Sequence, residues 1–304
     1  MTTTPLQLPN TTHDVARWVH QNLGRRANRE TKQIIAEYLG EWLRVRNRLL
    51  VDLAQHEAAG GRPYLLDEQG APWPLERGNP QTRLILHGLG LNGSEPAFLY
   101  VLEHLAMTAL ESGKKLRLAR WHTIRNGIIY TSAGPHHVVR TGPDGVPVLV
   151  ANGTDDVLFA ADATIPKWEP ADPVRPSEVA ALCPPLEPPV EVPAYRPAVQ
   201  EAFLQCWFAG LVAGIRPLPI LGLIGDCDGG KTTTARAIAR ALRGSDAGVA
   251  TLGTRNPLGD LGATLTARPL AALDNLDADV PSEIGDLLAA TATGANIESR
   301  QLYT

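Results

Sequence analysis

Along the first sixty residues the apolar side chains recur at three- and four-residue intervals. Val15, Trp18, Val19, Ile34, Ile35, Tyr38, Leu39, Trp42, Leu43, Leu49 and Leu50 fall near one stripe, the spacing at which side chains share a helix face. Residues 11–59 are therefore expected to be amphipathic helix, and 1–59 an N-terminal helical segment. Arg25, Arg26, Arg29, Lys32, Arg44, Arg46 and Arg48 surround the stripe, with Glu30, Glu37, Glu41 and Asp52 set among them. Interleaved charges of both signs describe a solvated face; a DNA-contacting or partner-docking module is the other reading. Beyond residue 60 the period shortens. Tyr64–Leu66 and Arg83–Leu86 read as strands and Glu95–Glu111 as a helix, with Gly88, Gly90 and Gly93 in turns and Ser94 as the helix cap. Leu116–Phe159 reads as short β segments punctuated by NG, GPDG and NGTDD turns. Residues 60–165 are thus expected to be an α+β module.

Ten prolines then crowd residues 166–197. Each ring fixes its own torsion and disfavours helix in the preceding residue, so this stretch reads as an extended linker between domains. The last segment, 198–304, opens with an apolar helical pattern from Ala198 to Ile215 that includes Phe203, Leu204, Trp207, Phe208 and Leu211. The apolar run Pro219–Ile224 follows as an expected buried parallel strand.

That run leads into Gly225-Asp226-Cys227-Asp228-Gly229-Gly230-Lys231-Thr232, which matches the phosphate-loop pattern G-x-x-x-x-G-K-[ST], and a helical stretch follows from Thr233 to Leu242. A glycine-rich turn feeding a helix N-terminus converges backbone N–H groups on the phosphates of a nucleotide. Gly225 through Thr233 are accordingly the expected ATP contacts. Lys231 would reach the β and γ phosphates, and Thr232 would hold Mg2+ through its hydroxyl, because that small cation takes oxygen ligands. Asp226 and Asp228 oppose this by placing negative charge in the loop unless they face solvent or the metal. Cys227 reads as a small loop residue rather than an activated thiol. Downstream, Pro269–Asp277 reads as a short apolar strand ending in a carboxylate. Asp274 is the candidate second element of the Mg2+ site, with a cap after a buried strand as its plainer role. Asn275 can orient a water but cannot accept its proton, which leaves Asp277 or Glu283 as candidate bases. Between loop and strand there is room for a strand near Val249–Leu252 and a small helix near Leu258–Leu265.

From Asn256 to Thr304 the chain resembles the ATPase core of phage- and plasmid-encoded primase-helicase proteins, relatives of the superfamily 3 helicases. The segments ALDNLD, LLAATATG and ESRQLYT carry that resemblance, where such proteins show an Asp-Asn strand end, an Ala-Thr-Gly turn and an Arg-x-Leu-Tyr-Thr motif. Weaker likeness extends upstream to about residue 60, through RPYLLDEQGAPWPL, GLNGSEPAFLYVLEHLAMTAL and the strand-rich stretch from Arg117. Two positions depart from the family pattern: Asp228-Gly229-Gly230-Lys231 replaces a Gly-Ser-Gly-Lys turn, and Thr154 stands where an aromatic is usual. The resemblance implies an α/β phosphate-loop NTPase core, an incomplete parallel sheet with flanking helices. It further implies an ATP- and Mg2+-dependent helicase-like motor of mobile-element DNA replication, acting on single-stranded or forked DNA and assembling as a homo-oligomeric ring when full length. In that frame Lys231, Asp274 and Asn275 serve hydrolysis, and Arg300 reaches a γ phosphate of its own or a neighbouring subunit; a structural salt bridge is the alternative for Arg300. A nucleotide-binding regulatory protein with little hydrolysis is the second reading, and a small-molecule kinase a third.

Composition adds bounds. The chain of 304 residues carries a net charge of −4, which argues against a wholly basic nucleic-acid protein yet permits a local basic track. Cys183, Cys206 and Cys227 are scattered, with neither zinc spacing nor a disulfide framework. No stretch approaches a membrane-spanning length and the first ten residues lack a signal pattern, so a cytoplasmic protein without a membrane partner is expected. Only 73 of the 304 residues follow Lys231, short of the usual phosphate-loop domain, and the chain is expected to be the N-terminal piece of a longer polypeptide or a degenerate one. His136-His137 reads as an exposed turn pair rather than a metal site. Trp121 and Tyr130 with Arg117 and Arg120 read either as a stacking strip for single strands or as half-buried strand positions.

Overall fold

A computed structural model of the chain describes residues 9–23, 28–53, 61–162, 165, 197–212, 218–223, 230–243, 249–251, 261, 272–274 and 282–293. It is a mixed α/β protein that divides into two compact units, Met1–Ala119 with Ala151–Ala161, and Arg120–Val150 with Asp162–Thr304. The linker expected at 166–197 lies, apart from Pro197, outside the described residues.

The first unit begins with the expected amphipathic pattern, resolved into two helices. Helix α1 (Thr12–Leu23) buries Val15, Val19 and Leu23, and α2 (Arg29–Val45) buries Ile35, Tyr38, Leu39, Trp42 and Leu43. Asn28 starts α2 by accepting a hydrogen bond from the Thr31 N–H at 2.8 Å. The helix does not continue to residue 59 as expected. Asn47 takes a left-handed conformation, φ 53°, which an asparagine tolerates and a helix cannot propagate. The chain then enters strand β1 (Leu49–Asp52), whose four residues are all buried. Leu49 and Leu50 therefore belong to a two-sided strand, not to the helical stripe.

Strand β2 (Arg62–Leu66) pairs antiparallel with β1, matching Leu50 to Tyr64, and β3 (Pro72–Pro74) pairs antiparallel with β2. Strand β4 (Lys114–Leu116) closes the order β3-β2-β1-β4 by running parallel to β1, with Val51 opposite Lys115. Arg83–Leu86, expected as a strand, lies instead in helix α3 (Pro80–Gly88). Asn79 causes this: its side-chain oxygen accepts from the N–H groups of Gln81 and Thr82 at 2.9 and 3.0 Å, and Pro80 at the first helical position presets the torsion. Helix α4 (Pro96–Ser112) falls where expected, but Ser94 does not cap it. The Ser94 hydroxyl bonds to Asn92, and Glu95 occupies the cap position without a side-chain bond. One hydrophobic cluster runs from Val15 through Leu39, Trp42 and Phe98 to Ala109, joining residues on both sides of position 59. Gly90, at φ 90°, permits the close approach inside it, since a Cβ there would lie 2.8 Å from the Ala16 carbonyl oxygen.

The second unit contains the expected β segments as a meander. Strands β5 (His122–Arg125), β6 (Ile128–Ser132), β7 (His137–Thr141) and β8 (Pro147–Ala151) follow one another in spatial order, with β5–β6 and β6–β7 antiparallel. Asn126 and Gly127, both at positive φ, make the two-residue turn that the NG signal announces. Its C-terminal part holds α5 (Pro197–Val212), α6 (Lys231–Arg243), β9 (Val249–Thr251), β10 (Ala272–Asp274) and α7 (Ser282–Thr293). Leu204 and Phe208 of α5 pack on Ile238 of α6, with Trp207 and Leu221 against them. Of the residues 219–224 expected as a buried strand, 219–223 form none, and Ile224 lies outside the described residues. Ile220 is 54% exposed, Pro219 has no N–H to give a ladder, and its carbonyl oxygen accepts from the Trp207 indole at 2.8 Å.

Candidate functional site

Two of the expected chemical elements fall at the ends of described secondary structure. Gly230 adopts φ 73°, a left-handed torsion that side chains beyond Cα disfavour. It stands directly before α6, and its carbonyl oxygen accepts the first helical bond, from the Thr234 N–H at 2.8 Å. The N–H groups of Lys231, Thr232 and Thr233 thus precede that first bond, in the part of a helix that carries partial positive charge. No acidic residue lies in this first turn. Lys231 and Thr232 are half-buried, Thr233 is exposed, and Thr234 is buried. Gly225, Asp226, Cys227, Asp228 and Gly229 lie outside the described residues.

The other element is β10. It pairs in parallel with β9, setting Asp274 opposite Thr251 at the carboxyl ends of the two strands, and α6 packs against both strands. The strand expected near Val249–Leu252 is β9, and the carboxylate-ended strand expected around Asp274 is β10. The helix expected near Leu258–Leu265 lies outside the described residues apart from Leu261, as do Asn275, Asp277 and Arg300. Glu283 is the second residue of α7, exposed, with the Ser282 hydroxyl at 3.4 Å from its carboxylate. Among the described residues no group of three or more His, Cys, Asp and Glu is placed to hold a metal ion.

The stacking-strip reading of the meander does not hold. Trp121 is 6% exposed and Tyr130 1%, so neither ring offers a face to a base. Trp121 packs edge-on against His122, with ring centroids 4.7 Å apart. His137 opens β7, with His136 in the bend before it.

Arg48 is a further departure. Counted among the charges of a solvated face, it is only 9% exposed. Its Nε donates to the Leu66 carbonyl at 2.8 Å, and burial pulls its pKa down, with the Glu68 and Asp67 charges acting the other way. It stands immediately before β1, and with the helical stripe expected to run through Leu49 and Leu50, nothing in the sequence signalled its burial. By contrast, Arg44 behaves as a surface residue, paired with Glu41 at 2.7 Å; this hydrogen bond holds the Glu41 carboxyl below its ordinary value.

Among the described residues no helix is long and apolar enough to cross a membrane. No protein-family model matches the chain, and neither curated proteins nor solved structures provide a match.

Proposed function

We propose that the chain binds MgATP at residues 225–233 and belongs to an ATP-hydrolysing, helicase-like motor of phage or plasmid DNA replication. The observation that carries the nucleotide reading is Gly230: a left-handed glycine closing a G-x-x-x-x-G-K-[ST] sequence at the start of a helix with no acid in its first turn. This is the local backbone that an anion cradle requires. Topology supports a shared site with Asp274. Five residues separate α6 from β9, the length of the connections in α/β units whose helices run back along the sheet. The N-terminus of α6 then faces the edge where β9 and β10 finish, the edge that binds ligands in parallel sheets. In this reading Lys231 and the first-turn amides neutralise phosphate charge. Thr232 and Asp274 would hold Mg2+, which when bound would supply positive charge to the phosphates. Asn275 orients the attacking water, and Arg300 stabilises charge on the γ phosphate.

The DNA-replication context and ring assembly rest on the sequence resemblance. A second reading, a nucleotide-binding regulator with little hydrolysis, is favoured by two specific points: Asn275 has no basic oxygen at the usual position of a catalytic carboxylate, and residues 218–223 lack strand pairing ahead of the loop. ATP turnover measured with and without single-stranded and forked DNA separates the two. DNA-stimulated turnover supports the motor. Saturable MgATP binding without turnover supports the regulator, and absence of binding removes both.

A further inference from the structure

An open groove of about 660 Å³ lies in the first unit, between the start of α1, the end of α2 and the β2–β3 turn. Trp42, Arg46, Arg48, Asp67, Glu68 and Thr12 are among its walls. Its polar groups are unevenly satisfied. Arg46 is occupied, donating to the carbonyls of Trp42 at 3.3 Å and Pro9 at 2.7 Å while its guanidinium covers the Trp42 ring at 4.4 Å. Asp67 is also occupied: one carboxylate oxygen accepts from the N–H groups of Gln69 and Ala71, the other from the Trp73 indole. Glu68 accepts from the Thr12 hydroxyl at 2.5 Å.

Arg48 is the exception. Its Nε is bonded to Leu66, yet among the described residues no acceptor takes a hydrogen bond from its two terminal amino groups, and no carboxylate lies within ion-pair distance of them. Arg48 as a residue is 9% exposed, and its guanidinium carbon stands 5.7 Å from the Trp42 ring centroid. Its terminal amino groups are not sealed in the core but open onto the groove, which is large enough for a small ligand.

We propose that this groove is a binding site for a small carboxylate, held by the terminal amino groups of Arg48. The planar fork of a guanidinium matches the two oxygens of a carboxylate. The choice over phosphate follows from the wall itself. Arg46 and Arg48 against Asp67 and Glu68 leave the wall without net charge, so no net attraction offsets the larger desolvation cost of a dianion. Its assignment does not rest on the nucleotide reading.

The test titrates the full chain with sodium acetate and, separately, with inorganic phosphate, following the Arg48 Nε–H and the amides of Thr11–His13 by nuclear magnetic resonance. The expected result is saturable shifts with acetate, weaker ones with phosphate, and acetate affinity lowered roughly tenfold or more in Arg48→Met, the loss anticipated for hydrogen bonds to a charged group. Glu68 is exposed, so Glu68→Gln keeps the fold and should tighten acetate binding by removing a like charge. Shifts that do not saturate with either anion overturn the proposal, as does Glu68→Gln binding that is unchanged or weaker. Phosphate binding tighter than acetate overturns the choice of carboxylate.

Discussion

Replacing Gly230 by alanine tests the nucleotide cradle at its most constrained backbone position. The φ of 73° lies in the region where a Cβ crowds the following carbonyl oxygen, at a cost of about 1–2 kcal/mol for an ordinary residue. Gly230 also accepts the first bond of α6, so alanine forces a choice between bearing that strain and rotating the peptide out of line with the helix. If nucleotide binding needs the present torsion, the strain appears in the binding free energy. The dissociation constant for MgATP should then rise by about five- to thirty-fold, the ratio that 1–2 kcal/mol represents. Asparagine tolerates the left-handed region better, so Gly230→Asn should fall between wild type and Gly230→Ala. Isothermal titration of the three proteins with MgATP, with helix content checked by circular dichroism, measures the series. Wild-type affinity in a folded Gly230→Ala protein would refute the reasoning, because the torsion would then have no bearing on the ligand.

Three further outcomes follow from other parts of the molecule. Asp274→Asn should leave β10 intact but remove most of the Mg2+ dependence of ATP binding, which a titration with and without the metal reads directly; retained dependence places the metal elsewhere. Gly90→Ala should destabilise the first unit by about 2 kcal/mol or more, since it combines positive-φ strain with a Cβ 2.8 Å from the Ala16 carbonyl oxygen; urea unfolding gives the number, and a shift below about 0.5 kcal/mol contradicts the close packing. Glu41 is held below its ordinary value of 4.5 by the Arg44 hydrogen bond. A depressed carboxyl stabilises the fold above the unfolded-state value and loses that contribution as pH falls through the folded one. The stability difference between wild type and Glu41→Gln should therefore be present at pH 7, close as pH falls below 4.5, and shrink in salt because both groups are exposed.

The parts of the fold legible in the sequence are those where one local signal dominates. The spacing of Val15, Trp18 and Val19 and of Ile35, Leu39 and Leu43 specifies α1 and α2, and Asn126-Gly127 specifies a tight hairpin. Misreadings arose where two signals compete. Arg83-Leu84-Ile85-Leu86 has strand character, but the capping oxygen of Asn79 and the ring of Pro80 start a helix three residues earlier. Leu49 and Leu50 continue the helical stripe by spacing, and only the left-handed torsion of Asn47 turns the chain into β1. The loop glycine and the strand ending at Asp274 were readable because their chemistry is concentrated in a few adjacent residues. Arg48 was not, because its burial depends on β2, and the carbonyl of Leu66 that fixes it is 18 residues away.

The central claim is that residues 225–233 bind a nucleotide triphosphate. Titration of the full chain with MgATP, compared with Lys231→Ala under the same conditions, tests it most directly. The account predicts saturable binding by the wild type and none detectable in a folded Lys231→Ala protein. Equal affinities in the two proteins, or no binding by the wild type, would contradict it.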